Sequence, residues 1–276
     1  MSRQKKQKRK KTAGDYLLTL VLLIAIGAFC FAGFNLIHIY LEYKKGTDEY
    51  AALEELAVTE RGPDSQEGQT EENAGENTSA YPQPPITVDF APLRQVNEEV
   101  IGWIYVEGIP SISYPMVKGS DNDYYLHRTY EGTYNFAGTI FLDYENKGDF
   151  SDCNTIVYGH NMQNGSMFGR LNEFTDGDAY EKSKYFWILT PEKNYRYQIF
   201  AAYRTGVSSD TYTLFLGPGE EFLEYANRMK TYTEIQTEDV EMGVRDKIVT
   251  LSTCTGNEST RLVVQGKMID AVPTTN

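Results

Sequence analysis

KIVTLSTC at residues 247–254, TGNEST at 255–260 and RLVVQGKMI at 261–269 decide the fold. The outer two runs are rich in Val, Ile, Thr and Leu, which suit a pleated, half-buried surface. The polar hexapeptide between them contains Gly256 and Asn257 and reads as a turn, so the segment is expected to be a hairpin with Cys254 and Arg261 at neighbouring strand ends. Working outward, runs of the same kind recur at 102–108 (GWIYVEG), 111–117 (SISYPMV), 138–144 (GTIFLDY), 154–160 (NTIVYGH) and 195–204 (YRYQIFAAYR). Helical stretches are expected at 166–174 and at 220–231, the latter with Phe222, Leu223, Ala226 and Met229 on one face. Asp89 can cap another helix running to Val100, with Phe90, Leu93 and Val96 on its apolar side. Short strands with little helix between them indicate a mainly β fold, a closed or nearly closed barrel. The abundance of tyrosine, 21 residues against two tryptophans, agrees with a sheet-rich chain.

Before this domain the chain changes character twice. Residues 16–41 contain no charged side chain, more than the roughly 20 apolar residues needed to cross a bilayer. Seven basic residues (Arg3, Lys5, Lys6, Lys8, Arg9, Lys10, Lys11) precede them. The excess of positive charge places the N-terminus in the cytoplasm and everything from residue 42 outside the cell membrane. A cleaved signal peptide would have a shorter apolar region and a small-residue cleavage site, which 34–40 does not offer. Residues 42–58 look helical after Gly46, with Tyr50, Leu53, Leu56 and Ala57 at helical spacing. Residues 59–86 are dominated by Pro, Gly, Glu, Gln and Asn and read as a flexible spacer spanning about 30 Å. The expected organisation is therefore a cytoplasmic basic tail at 1–15, a transmembrane anchor at 16–41, a helical stalk and acidic linker at 42–86, and a folded catalytic domain at 87–276. Beyond residue 41 the chain holds 19 basic and 38 acidic residues, a balance that argues against nucleic-acid binding, which relies on Lys and Arg at phosphates.

Three residues carry chemistry. Cys254 ends an apolar strand and is followed by an exposed loop, a useful placement for a nucleophile. His160 likewise follows an apolar run, Thr155-Ile-Val-Tyr-Gly, and leads into a loop. Arg261 opens the next strand. A thiol attacks only as the thiolate, an imidazole can hold or supply the proton a leaving amine needs, and a guanidinium is a permanent charge suited to an oxyanion. Each residue alone has an ordinary explanation: a small buried thiol, a surface histidine, a surface charge. The other candidates are weaker. His38 lies in the anchor, His127 reads as an exposed loop residue, Cys30 lies in the apolar run, and Cys153 sits in a turn without a catalytic role. Three scattered cysteines make neither a disulfide framework nor a metal site, and no metal or organic cofactor is expected.

At these residues the sequence resembles the sortase family, in particular its class B branch. Leu251-Ser-Thr-Cys-Thr255 with Arg261 is similar to the family's cysteine signature. Tyr158-Gly-His-Asn-Met162 with Gly165-Ser-Met-Phe-Gly169 is similar to the class B histidine segment. Ile101-Gly-Trp-Ile104, Tyr114-Pro-Met-Val117, Asp121-Asn-Asp-Tyr-Tyr-Leu126 and Gly138-Thr-Ile-Phe-Leu-Asp-Tyr144 match in family order, so the resemblance runs from about 89 to 269. It implies an eight-stranded barrel with a helix before the cysteine strand. It also implies cleavage of a surface protein's C-terminal sorting signal after Thr, a Cys254 thioester, and transfer to a peptidoglycan precursor or cross-bridge amine. It implies substrate contacts at Asn122, Leu126, Tyr158 and Ser252. The class C lid motif is absent. Two other readings stay open. One is a cysteine protease with water as acceptor, although His precedes Cys here, opposite to the papain order. The other is a surface-binding module without catalysis, which leaves the placement of Cys254, His160 and Arg261 to coincidence.

Overall fold

The structure is a computed structural model that describes residues 12–62, 82–257 and 259–274. Its first element, α1 (Ala13–Ala57), begins with the charge-free run, whose large apolar side chains from Tyr16 to Leu41 stand exposed. At 1.5 Å per residue those 26 residues extend about 39 Å, and the helix is long and apolar enough to cross a membrane.

The chain divides into two compact units, residues 1–45 and 46–276. The second unit thus begins well before residue 87, where the sequence alone starts the folded domain. The reason lies in the helical face at 46–57. Tyr50, Leu53 and Ala57 are buried, and the Tyr50 hydroxyl donates to the Gly138 carbonyl at 2.7 Å. Leu56, on the same expected face, is exposed. Directly after the helix, β1 (Val58–Glu60) pairs antiparallel with β2 (Ile86–Val88), so both ends of the expected spacer are ordered in a two-stranded ribbon. The spacer's residues 63–81 lie outside the described residues.

The remaining elements are α2 (Phe90–Val96), β3 (Val100–Val106), β4 (Ser113–Val117), a 3-10 turn (Tyr125–His127), β5 (Ile140–Leu142), β6 (Asn154–Tyr158), α3 (Glu173–Asp176), α4 (Ala179–Lys182), β7 (Tyr185–Leu189), β8 (Lys193–Gly206), a second 3-10 turn (Asp210–Tyr212), α5 (Glu220–Lys230), β9 (Ile248–Cys254) and β10 (Thr260–Pro273). Eight strands close into a barrel in the order β10-β8-β7-β3-β4-β5-β6-β9. Most neighbours are antiparallel, but β4–β5 and β6–β9 run parallel. Closure removes unpaired edges, and Trp103, Trp187, Phe186 and Tyr197 are among the largest fully buried side chains.

Asp89 caps α2 as expected, accepting from the Ala91 amide at 2.9 Å, but the helix stops at Val96. There Asn97 turns the chain, Val96 is exposed, and Val100 instead opens β3. The helix expected at 166–174 is mostly a turn. Met167 takes a left-handed φ of 54°, which no α-helix continues, and Met167, Phe168 and Leu171 bury separately. The helix before the cysteine strand is present as α5, packing Phe222, Tyr225, Ala226 and Met229 against Phe200, Tyr203 and Val263. Cys153 is buried in the same cluster, and burial raises its thiol pKa above the ordinary value.

Candidate active site

Strand topology positions the site. β6 and β9 are parallel neighbours in register at Tyr158 and Ser252, and the Gly159 amide donates to the Ser252 carbonyl at 3.2 Å. Two residues further along each strand, His160 and Cys254 leave the barrel at the same edge. The Asn161 side chain ties the two strand ends together, donating to the Cys254 carbonyl at 2.8 Å. On the other flank of β9, Cys254 pairs directly with Arg261 in the antiparallel β9–β10 ladder. Directly opposed residues point to one face with Cβ atoms about 4.5–5.5 Å apart, so thiol and guanidinium share a side of the sheet. The Thr255 and Thr260 hydroxyls bond across the base of the connecting loop. Cys254, His160 and Arg261 are all half-buried, and Arg261 donates one Nη to the Thr260 carbonyl at 2.9 Å.

The His160 ring is held from the 125–127 turn. Its Nε2 lies 2.7 Å from the Leu126 carbonyl oxygen. A carbonyl can only accept, so Nε2 carries the hydrogen and Nδ1 is the nitrogen left to take or give a proton. His127 stacks on the same ring, centroids 5.8 Å apart at 28°. Burial pushes the His160 pKa below its ordinary value; the bond to Leu126 works against this, and the nearby His127 charge adds to it. His127 is an exposed residue, as the sequence reading has it, but it is not an isolated one.

A wall of polar side chains continues from Cys254. The Ser252 hydroxyl bonds the Tyr212 hydroxyl at 2.9 Å, and the Tyr212 ring stacks with Tyr158 at 6.5 Å. Tyr158 donates to Asp143 Oδ2 at 3.0 Å, and Asn122 Nδ2 donates to the same oxygen at 2.9 Å. Both phenols have raised pKa values, first from burial; Asp143 raises Tyr158 further and the Cys254 charge raises Tyr212, while Arg261 lowers both. The charge of Arg261 therefore reaches the wall.

The seven residues singled out in the sequence fall in one region. Cys254 and Arg261 form a cross-strand pair, and His160 lies two residues past the end of the adjoining strand β6. Tyr158 and Ser252 are register partners, Asn122 joins through Asp143, and Leu126 enters through its carbonyl oxygen. Sequence reasoning missed Asp143, Asn161, Tyr212 and the contact of His127. Asp143 did leave a signal, a lone carboxylate ending the apolar run Gly138-Thr-Ile-Phe-Leu142. Tyr212 left none, since only the fold of the 206–213 turn brings it to Ser252. Among the described residues no cluster of three or more His, Cys, Asp or Glu is arranged to hold a metal ion. A thiol, an imidazole with one free nitrogen and a fixed cation are the parts required for acyl transfer through sulfur.

The Sortase domain family model matches residues 104–269. Sortase B of Listeria monocytogenes serovar 1/2a is 32% identical over 260 residues, covering 92% of this chain and 98% of that protein. Among solved structures, a sortase B from B. anthracis superposes with a TM-score of 0.66 at 29% identity, over 84% of this chain and 99% of that one. A Staphylococcus aureus sortase B–substrate complex gives 0.60 at 31% identity, over 66% and 84%.

Proposed function

The chain belongs to the sortase family, class B, and is a sortase-type cysteine transpeptidase; from that premise we propose that Cys254, His160 and Arg261 cleave a surface protein's C-terminal sorting signal after Thr and pass the acyl group to a cell-wall amine. The observation that supports this reading is the direct pairing of Cys254 with Arg261 beside β6, whose following loop carries His160. His160 Nδ1 takes the proton of the Cys254 thiol, and the resulting thiolate attacks the Thr carbonyl carbon, forming a C–S bond, while the carbonyl π pair moves to oxygen. Arg261 faces that oxyanion with a charge it cannot lose. Collapse breaks the peptide C–N bond, and the leaving amine takes a proton from His160 Nδ1, leaving a thioester. An amine of a peptidoglycan precursor or cross-bridge then attacks the thioester carbon and gives its proton back to His160, and the Cys254 thiolate departs as the new amide forms.

Tyr158, Ser252, Asn122 and Leu126 serve as substrate contacts along the same wall. A substrate complex of a relative 31% identical supports engagement of a sorting signal in this fold. α1 anchors the enzyme, with the basic tail in the cytoplasm and the catalytic domain outside. The test is transfer of a fluorogenic sorting-signal peptide to a free amine. Full turnover by Cys254→Ala contradicts the reading; loss of both cleavage and transfer with an unchanged melting curve is the expected result.

A further inference from the structure

Asp143 follows the last residue of β5 and is buried, yet its carboxylate is fully engaged. Oδ2 accepts from Tyr158 Oη at 3.0 Å and from Asn122 Nδ2 at 2.9 Å, while Oδ1 accepts from the Glu145 amide at 3.0 Å. The next residue completes the grip: the Tyr144 amide donates to Asn122 Oδ1 at 3.0 Å. Both ends of the Asn122 carboxamide are therefore fixed, and so is the direction of the Tyr158 hydroxyl hydrogen. Burying a carboxylate is costly unless donors replace the lost water, and here two of its three donors are the side chains assigned to substrate contact, the third being the Glu145 amide.

We infer that Asp143 is a positioning residue for substrate recognition: its carboxylate sets Asn122 and Tyr158 in the one arrangement in which the wall leading to Cys254 receives the sorting-signal backbone. This rests on the functional reading above. Asp143 touches neither sulfur nor the transferring acyl group, so its removal acts on binding more than on the chemical step. Asp143→Asn keeps the shape but removes the charge and turns one oxygen into a donor: with the NH2 at the Oδ2 place Asn122 and Tyr158 lose their shared acceptor, and with it at the Oδ1 place the Glu145 amide loses its acceptor while Tyr158 and Asn122 keep only a neutral one. Losing a charge-assisted hydrogen bond of this kind corresponds to roughly a tenfold change in affinity.

The experiment compares the full-length enzyme in detergent with Asp143→Asn, Tyr158→Phe and the double variant, on a fluorogenic peptide library with Thr at the cleavage position. In Asp143→Asn, KM is expected to rise roughly tenfold while kcat changes by less than about threefold, and the double variant is expected to rise no further than the worse single one. A merely structural role would reduce the active fraction and kcat at constant KM. An unchanged KM in Asp143→Asn, with wild type active, overturns the inference and leaves the functional reading standing. A wild-type enzyme that cleaves no member of the library defeats the functional reading and the inference with it. Should Asp143→Asn melt early, Asn122→Asp provides the second measurement, since two carboxylates cannot share the site. A wild-type KM in that variant also overturns the inference.

Discussion

At Cys254 and Arg261 the cross-strand pairing converts directly into expectations. A forked guanidinium cannot be copied by an ammonium, and loss of one oxyanion donor typically costs about 100- to 1000-fold in turnover. Arg261→Lys and Arg261→Ala are therefore both expected to lose most of the rate, with Cys254 still reactive toward a small alkylating agent. An Arg261→Ala enzyme at near wild-type turnover would hand the oxyanion to backbone amides. Cys153→Ala, by contrast, should leave activity unchanged, because that thiol is buried away from the site in the α5 cluster. His160 gives a pH prediction with a definite sign. Its pKa is lowered in the folded protein, so below its ordinary value near 6.5 the unfolded chain binds the proton more readily and stability falls as pH drops. His160→Phe should flatten that part of a melting-temperature profile. His127→Phe keeps the stacked ring but removes its charge, so His160 should titrate at higher pH, readable by nitrogen-15 NMR in a chain with three histidines. An unshifted His160 signal would show that His127 does not act on it.

At the scale of elements, the 125–139 segment links the barrel to the histidine. Gly138 has a φ of +60°, and a Cβ there would come within 2.6 Å of the Leu126 carbonyl oxygen, the atom that holds His160 Nε2. Gly138→Ala is expected to cost about 1–3 kcal/mol of stability and to lower kcat more than core changes of equal cost far from His160. Chemical denaturation together with turnover checks this; an active, equally stable variant would remove the segment from the mechanism. Elements built from local pattern were legible in the sequence. The β9–β10 hairpin follows from two β-branched runs and a polar turn, and α5 from its helical spacing. Others were not. β7 reads YFWIL, a short apolar run buried on both faces that has no alternation to separate strand from helix. The parallel β6–β9 pairing joins residues about 94 apart in the chain and depends on barrel closure, which no local signal encodes. The resemblance to a known family supplied the strand number; the residues themselves gave only a barrel. The wall of Asp143, Tyr158 and Tyr212 was hidden for the same reason, since three separate elements converge on it.

For the whole molecule, the ordered ribbon of β1 and β2 changes what a cut in the spacer would do. Protease applied to wall-stripped intact cells should cleave between residues 62 and 82, since the proposed orientation puts that segment outside. Residues 46–60 nevertheless belong to the same compact unit as the barrel, through Tyr50, Leu53, Ala57 and the β1–β2 ladder. The two fragments should separate on a denaturing gel yet remain together, membrane-bound and active, without denaturant. A C-terminal fragment that washes free would show that the 46–60 segment contributes little, and a chain protected from protease would contradict the orientation. The expectations on turnover rest on a single covalent event at one sulfur. The most direct measurement incubates the full-length enzyme with a sorting-signal peptide in the absence of amine and reads the fragment carrying Cys254 by mass spectrometry. The expected result is an adduct of the peptide's acyl portion ending in Thr, released by hydroxylamine, present on wild type and absent from Cys254→Ala. An adduct on another residue, or cleavage by Cys254→Ala without any adduct, would contradict catalysis through the Cys254 thioester.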